Sequence, residues 1–223
     1  MKPIKQILNL LLNTFIYFIL ASVLIVIIYK FINPPITPYQ FSEYLNYDDF
    51  HKGWSDYEKI NPQLFKAMIA SEDAHFFNHN GVDWKAVRDA AEFNARNPKR
   101  RKRGASTITM QTAKNTFLWH GRNYFRKALE IYFAHLIDII WGKNRVLEVY
   151  ANVIEWGPGI FGIKAAANKY FNKEPHELTK KQCALLVTVL PNPKRWNPTK
   201  PTKYIKVRSE HIMRWMDDVT LKE

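Results

Sequence analysis

Residues 71–84, SEDAHFFNHNGVDW, hold two adjacent acids, two histidines four positions apart and three aromatic side chains. A helix that starts at Pro62 and reaches this stretch places Glu72 one turn after Met68 and Ile69, on its apolar face. A carboxylate on an inward face costs on the order of several kcal/mol unless it is paired or lines a cleft. The position therefore predicts acid/base catalysis by Glu72, with a structural salt bridge as the alternative.

The same stretch also has residues of the metal-binding type. His75 and His79 have the spacing of two ligands one helical turn apart, with Asp73 and Asp83 nearby. The aromatic, asparagine and glycine residues between them disfavour a continuous helix, and no third ligand stands at a typical distance. A dedicated zinc site is thus the weaker interpretation, and a divalent ion shared with substrate phosphates stays open.

A second stretch, KRRKRGASTITMQTAKN (99–115), joins five basic residues to a predicted helix start rich in small and hydroxyl side chains. Amides at a helix N-terminus and Ser or Thr hydroxyls are ready phosphate ligands. The spacing of a Walker loop is absent. The pattern favours anion binding, with a solvated basic face as the alternative, and we expect segment 97–104 to be mobile in the free protein. The polar candidates are Ser106, Thr107, Gln111, Lys114 and Asn115.

A third stretch, FRKALEIYFAHLID (125–138), carries another carboxylate among cations. Arg126 precedes Glu130 by four residues and Lys127 precedes it by three, so these side chains share one helical face. They form either a surface pair worth a few tenths of a kcal/mol or a second active-site carboxylate flanked by phosphate-binding cations. The segment alone does not decide.

Helices must position these residues, because helical signals follow one another along the chain. Asn61-Pro62 and Asp83 are helix starts, and Thr179 with Gln182 forms a capping box. Helices are predicted from Pro62, after Asp83, around 107–119, 123–141 and 143–153, from Thr179 to about Leu190, and over 204–219. Strand-like alternation is nearly absent, and Gly157, Gly159 and Gly162 mark one irregular turn. The prediction is an all-α domain.

An apolar run of 23 residues without a charge, 7–29, precedes this domain. As a helix it is about 35 Å long, enough to cross a bilayer. A signal peptide cleaved near Ala21-Ser22 is the alternative, although its apolar region is normally only about 7–15 residues long. Basic residues before the run favour a cytoplasmic N-terminus. We predict a cytoplasmic tail (1–6), a transmembrane anchor (7–30), a linker or membrane-proximal region (31–60) and a catalytic domain (61–223).

The net charge of +13 calls for an anionic partner. Nucleic acid is disfavoured because the domain is predicted to lie outside the cytoplasm, and anionic lipid or a phosphorylated substrate fits better. The sole cysteine, Cys183, excludes an intramolecular disulfide and a cysteine metal cluster. It is expected to be a small buried hydrophobe.

Taken together, the stretches resemble the peptidoglycan glycosyltransferases (glycosyltransferase family 51), in their monofunctional form. The family's motifs appear in order: E-D-x-x-F-x-x-H-x-G in SEDAHFFNHNGVD, G-G-S-T-I-T-Q-Q-x-x-K-N in GASTITMQTAKN, and R-K-x-x-E in RKALE. Residues 143–171 and the stretch ALLVTVLPNPKRWNP resemble the fourth and fifth. Ala105 replaces the second glycine of the second motif and Met110 its first glutamine. The chain ends at Glu223, and we expect no penicillin-binding domain after it.

The resemblance implies a lysozyme-like helical fold and an enzyme that polymerises lipid II, a disaccharide-pentapeptide on undecaprenyl pyrophosphate. Glu72 then matches the general base and Glu130 a second carboxylate. Lys114, Arg126 and Lys127 would counter the charge of the pyrophosphate, assisted by the polar candidates of the second stretch. The residues expected to shape the loop after Glu72 are Asp73, Phe76, His79 and Gly81.

The resemblance also implies surroundings and partners. We expect a single-pass protein of the bacterial cytoplasmic membrane, with lipid II, the growing glycan and other cell-wall or division proteins as partners. No cofactor is expected to be tightly bound, although a Mg²⁺ or Mn²⁺ ion near Glu130 is compatible with the pattern. The alternatives are a lytic, lysozyme-type glycosidase and a non-catalytic membrane scaffold. The cationic pocket argues against the first, and the carboxylates at Glu72 and Glu130 argue against the second.

Overall fold

The computed structural model describes residues 2–121 and 123–222. The chain separates into two compact units, Met1–Pro34 and Pro35–Glu223. The first unit consists of helix α1 (Lys2–Phe31). Within it, Ile4–Phe31 is the one segment of the described residues that is long and apolar enough to cross a membrane.

The second unit is built mainly from helices, which confirms the predicted all-α class. They are α2 (Pro38–Tyr44), α3 (Pro62–Glu72), α4 (Trp84–Arg96), α5 (Ile108–Phe117), α6 (Tyr124–Trp141), α7 (Lys143–Val153), α8 (Ile163–Phe171), α9 (Lys180–Val189) and α10 (Lys203–Trp215). Short 3-10 helices cover Tyr57–Lys59, Phe76–Asn78, Pro175–Glu177 and Met216–Asp218.

The predicted helix starts are confirmed by their caps. The side chain of Asn61 accepts a hydrogen bond from the Gln63 amide at the start of α3, and Asp83 accepts one from the Ala86 amide at the start of α4. Thr179 forms the expected capping box ahead of α9. Each cap satisfies an amide that has no partner within its own helix, which fixes where the helix begins.

Three short strands depart from the expected absence of sheet. They are β1 (His51–Lys52), β2 (Glu155–Gly157) and β3 (Ile160–Phe161). Strand β3 is central, parallel to β1 and antiparallel to β2. The predicted irregular turn is therefore a hairpin. Gly159 sits in it at φ +68°, and a Cβ there would lie 2.7 Å from the Asp49 carbonyl oxygen. Strands of two or three residues are too short to show a periodic pattern.

Helix α2 lies where the sequence predicts a linker. Pro38 occupies the first turn of α2, where its missing N–H has no partner to lose. Thr37 and Gln40 form a capping box in front of it. Residues 35–60 belong to the second compact unit.

The core forms around α5, which packs against α6 and α7, while α3 packs against α9 and α10. Helix α5 buries three threonines, Thr109, Thr112 and Thr116, among apolar neighbours. As expected, Cys183 of α9 is buried, and this burial raises the pKa of its thiol to about 12. The packing brings the C-terminal end of α3 beside the first turn of α5.

Candidate active site

Glu72 is the last residue of α3 and lies on the wall of a cleft rather than in the apolar core. Its Oε2 atom accepts a hydrogen bond of 3.2 Å from Gln111 Nε2, and its Oε1 atom accepts one of 3.2 Å from Ser71 Oγ. None of the ion pairs among the described residues involves Glu72, so the salt-bridge alternative is wrong. The cleft has a volume of about 560 Å³. Its lining includes Arg101, Lys102, Ser106, Thr107 and Arg208.

Gln111 is held in a fixed orientation between Glu72 and Tyr150. The Tyr150 hydroxyl donates a hydrogen bond of 3.0 Å to Gln111 Oε1. Burial raises the pKa of Tyr150 well above its usual value, and the charge of Glu72 adds to this effect. The phenol therefore stays protonated and can donate to the amide oxygen, while the ionised Glu72 carboxylate, which only accepts, requires the amide nitrogen on its side.

Asp73 ties the end of α3 to the start of α5. Its Oδ2 atom accepts a hydrogen bond of 2.9 Å from the Ile108 amide, the first of α5. A carboxylate at a helix N-terminus is stabilised by the unpaired amides and the helix dipole. His79 Nε2 lies 3.0 Å from the same carboxylate oxygen. Thr107 Oγ1 donates a hydrogen bond of 2.6 Å to the Gly81 carbonyl, which fixes the loop to α5 a second time.

Phe76, His79 and Gly81 lie behind the cleft and pack the loop against the body. Phe76 is fully buried, and Lys143 Nζ lies 4.7 Å from its ring while donating a hydrogen bond of 2.6 Å to the His79 carbonyl. Gly81 has φ +79°, and a Cβ at this position would come within 2.7 Å of the Ala134 carbonyl oxygen on α6. The loop thus needs glycine for both its conformation and its close approach.

The candidate metal ligands form two separate pairs. His75 Nδ1 lies 3.4 Å from Asp83 Oδ2, and His79 pairs with Asp73. Because α3 ends at Glu72, the two histidines do not share a helix. Nowhere in residues 2–121 and 123–222 do three His, Cys, Asp or Glu side chains meet in a way that could hold a metal ion. The structure does not support the zinc interpretation.

Glu130 is buried at the centre of a cluster of cations. Its side chain is 3% exposed, with Arg126 Nη1 2.9 Å from Oε2 and Lys127 Nζ 2.6 Å from Oε1. The alternative of a surface pair is therefore wrong. Both oxygens already face a cation, and the residues that the structure describes do not offer Glu130 two further His, Cys, Asp or Glu ligands, so the donor set does not fit a divalent ion without displacing Arg126 or Lys127. Lys127 Nζ also donates a hydrogen bond of 3.1 Å to Ser106 Oγ.

Lys114 lines a second cleft of about 320 Å³ together with Asn115. Burial lowers the pKa of Lys114; the Glu130 charge opposes this shift, and the Arg126 and Lys127 charges add to it. Three cations thus surround one carboxylate, which leaves an excess of positive charge that an anionic ligand would neutralise. Further side chains of this cleft are Tyr39, His120, Glu155, Asn192 and Lys194.

The two clefts adjoin, because Gln111 and Pro191 line both. Glu72, Ser106 and Thr107 lie on one side of Gln111, and Lys114 with Asn115 lies on the other. Arg126 and Lys127 line neither cleft but a separate surface pocket; they are linked to the clefts by the charge of their partner Glu130, which acts on Lys114, and by the hydrogen bond from Lys127 to Ser106. A bound molecule that occupies both clefts would present one part to a carboxylate and another to cations.

A sequence model of one protein family, described as transglycosylase, matches residues 40–217. A biosynthetic peptidoglycan transglycosylase of Caulobacter vibrioides is 45% identical over 92% of this chain and 88% of its own. Proteins of the same name from Bacteroides thetaiotaomicron and Shewanella oneidensis are 41% and 38% identical, over 96% and 100% of this chain and 88% and 98% of theirs. The chain belongs to the transglycosylase family.

Membership of the transglycosylase family confirms the resemblance drawn from the motifs. The protein is an enzyme, a glycosyltransferase of cell-wall peptidoglycan synthesis, and its helical domain is lysozyme-like. The roles of the individual site residues stay predictions, supported by the geometry described above.

Sequence reasoning missed several residues that line the clefts. Tyr150 and Glu155 stand in the fourth motif, in which no site residue was predicted, and Arg208 lies on α10. Arg208 Nη2 is 3.5 Å from Ser71 Oγ, beside Glu72. One local signal could have pointed to Glu155. This acid stands directly before the turn of Gly157, Gly159 and Gly162, and an acid that is buried in a turn needs polar partners.

Proposed function

We propose that this transglycosylase polymerises lipid II into linear glycan strands, with inversion at the anomeric carbon and release of undecaprenyl pyrophosphate. The observation that carries the proposal is the pair of adjoining clefts. One presents the carboxylate of Glu72, and the other presents Lys114 beside the Arg126, Lys127 and Glu130 cluster. A sugar hydroxyl that must lose a proton fits the first, and a diphosphate leaving group fits the second.

Glu72 is the proposed general base. It takes the proton of the acceptor's 4-hydroxyl as that oxygen attacks the anomeric carbon of the donor, and the bond from this carbon to the diphosphate oxygen breaks. Attack opposite the leaving group converts the α linkage to β, so one carboxylate suffices as base. Gln111 holds a carboxylate oxygen in place, which keeps the base aligned with the hydroxyl.

The proposed diphosphate site combines cations with hydroxyl and amide donors. Lys114, Arg126 and Lys127 stabilise the negative charge that develops as the diphosphate leaves. Glu130 keeps the cations in position before the substrate arrives, since it contacts two of them. Gln111 and Asn115, which line the same cleft as Lys114, are further proposed contacts, and so are Ser106 and Thr107, which line the adjoining Glu72 cleft. The proposal requires no divalent ion, and assistance by Mg²⁺ or Mn²⁺ stays a prediction.

The apolar helix Ile4–Phe31 supports a location in the bacterial cytoplasmic membrane. We propose that it is an uncleaved single-pass anchor with a cytoplasmic N-terminus. The catalytic domain then faces the outer leaflet of this membrane, which carries the lipid-linked sugars. The excess of positive charge favours anionic headgroups and diphosphates there. Other cell-wall or division proteins are proposed partners.

The direct test compares the full-length protein with its Glu72→Gln variant on lipid II in detergent with magnesium. We expect polymer on a gel from the parent and almost none from the variant, while both bind lipid II. Removing a general base typically lowers the rate about 10²–10⁴-fold. Glu58→Gln, an exposed acid-to-amide change, is the matched control and is expected to keep full activity.

The same assay separates the alternatives. Failure of the parent to form polymer across metals and detergents would overturn the proposal and favour a non-catalytic scaffold. Release of soluble fragments from preformed glycan would favour a lytic glycosidase. Full activity of Glu72→Gln would remove Glu72 from the role of base and leave the substrate assignment standing.

A further inference from the structure

Helix α2 sends two side chains to different parts of the rim of the Lys114 cleft. The Tyr39 ring stacks on the His120 ring with centroids 3.5 Å apart and planes 21° apart. One turn further along α2, Glu43 Oε2 lies 2.7 Å from Lys194 Nζ. His120 and Lys194 both line the cleft. One short helix therefore contacts both of these lining residues.

Helix α2 is itself fixed to the body of the domain. The Tyr39 hydroxyl donates a hydrogen bond of 2.5 Å to Glu155 Oε2, and Gln40 Nε2 donates one of 3.5 Å to the Val153 carbonyl. The Gly159 amide donates to the other oxygen of Glu155. Burial raises the pKa values of both Tyr39 and Glu155, so the phenol remains a donor at neutral pH.

The ring that Tyr39 holds is neutral. Burial lowers the pKa of His120 to about 4, with a further contribution from the Lys114 charge. A neutral imidazole stacks on a phenol without a charge to solvate, and it keeps one N–H donor for a ligand. His120 can therefore contribute a hydrogen bond to the cleft beside the cationic Lys114.

Both contacted residues stand in segments between helices. His120 lies between the end of α5 at Phe117 and the start of α6 at Tyr124. Lys194 lies between the end of α9 at Val189 and the start of α10 at Lys203. Such segments exchange among conformations more readily than the helices they join, so a side-chain contact that orders them reduces the entropy lost when a ligand binds.

We propose that Tyr39 and Glu43 are positioning residues, and that α2 is a brace that holds the His120 and Lys194 segments where a lipid-linked diphosphate can enter the Lys114 cleft. The identity of the ligand rests on the proposed function. The brace itself rests on the contacts of α2. Neither Tyr39 nor Glu43 is assigned a part in bond making or breaking.

Hydrogen exchange tests the brace without any substrate. In Tyr39→Leu, we expect amides of residues 118–121 to exchange at least about tenfold faster, and in Glu43→Gln we expect the same of residues 192 and 194–197. In each variant, exchange should increase more in the segment that the replaced side chain contacts than in the other segment. Phe41→Leu is the matched control, because Phe41 lies on the exposed side of the same helix. Unchanged exchange in both segments would overturn the brace.

Binding and kinetics test the positioning role. For Tyr39→Leu we expect the Kd for detergent-solubilised undecaprenyl pyrophosphate and the KM for lipid II to rise about tenfold, with kcat changed less than about threefold. Tyr39→Phe keeps the ring but loses the hydrogen bond to Glu155, so its Kd and KM are expected to lie between those of the parent and those of Tyr39→Leu. A lower Tm with unchanged Kd and KM would show a merely structural role and overturn the proposal.

The two proposals fail in different ways. A parent protein that binds undecaprenyl pyrophosphate but forms no polymer would overturn the polymerase and leave the Kd of Tyr39→Leu as the test of positioning. A parent that polymerises lipid II, with Tyr39→Leu equal to it in Kd and KM, would overturn the positioning role alone.

Discussion

Gln111 Nε2 donates a hydrogen bond of 3.2 Å to Glu72 Oε2, across 39 positions of the chain. Gln111 lines both clefts, so this bond stands at the point where the acceptor and the donor substrates are proposed to meet. The buried hydroxyl of Tyr150 fixes the other end of the amide. The orientation of the proposed base therefore depends on a residue that carries no charge.

Replacing Gln111 by methionine keeps the volume and removes both hydrogen bonds. We expect kcat to fall about 10–100-fold, because a base that loses its alignment loses part of the rate. The buried Tyr150 hydroxyl is left without its partner, so the free energy of unfolding should fall by about 1–3 kcal/mol. Initial rates of polymer formation and urea denaturation measure the two effects.

Tyr150→Phe separates the effect on kcat from the effect on the free energy of unfolding. It removes the hydroxyl that would be orphaned but leaves Gln111 to bond Glu72, so we expect less than about a tenfold loss of kcat. The double variant should be more stable than Gln111→Met alone, because it leaves no orphaned hydroxyl. Equal activity of Gln111→Met and the parent would contradict an orienting role.

Glu130 is expected to matter for stability as well as activity, because two cations depend on it. Glu130→Gln leaves Arg126, whose side chain is 10% exposed, without its ion pair. Removing one partner of a buried pair typically lowers the free energy of unfolding by about 3–5 kcal/mol. A double-mutant cycle with Arg126→Met, measured by urea denaturation, should give a coupling energy above about 1 kcal/mol. Additive effects would contradict the pairing.

Gly81→Ala should disturb the loop that joins α3 to α4. Alanine at φ +79° is strained, and its Cβ would meet the Ala134 carbonyl at 2.7 Å. Gly142→Ala is the matched control, since Gly142 has φ +75° but open space around the missing Cβ. We expect about 1–3 kcal/mol of strain for the control and about 1–3 kcal/mol more for Gly81→Ala, from overpacking. Equal losses of unfolding free energy would contradict the packing argument.

Local signals predicted most of the helices, because caps such as Asn61 and Thr179 act within four residues of chain. Helix α2 was missed for a physical reason of the same kind. Proline ends a helix when it falls inside one but is favoured in the first turn, and Pro38 occupies the first turn of α2. The strands were missed because two or three residues are too few to show a pattern, and β1 forms only by pairing with the distant β3.

The site divides in a similar way. Residue type and motif predicted Glu72, Lys114 and Glu130, since a carboxylate on an inward face and cations on the same helix as polar or acidic side chains are visible locally. Tyr39 and Glu155 were not predicted, because their hydrogen bond joins residues 116 positions apart. Each is ordinary in its own segment, and only the fold makes them partners.

The neutral His120 predicts how stability depends on pH. Burial, and then the Lys114 charge, lower the pKa of His120 from 6.5 to about 4. In the unfolded chain, His120 takes up a proton near pH 6.5, whereas in the folded protein it stays neutral until the pH approaches 4. The contribution of the neutral His120 to the free energy of unfolding is therefore full above pH 6.5 and is lost as the pH falls toward 4. When the pH is lowered from 7.5 to 4.5, the free energy of unfolding should fall less in His120→Asn than in the parent. Urea denaturation of each protein at both pH values measures this difference. Comparing each protein with itself removes the effect of the lost stack on Tyr39. An equal loss in parent and variant would show that His120 titrates normally in the folded protein.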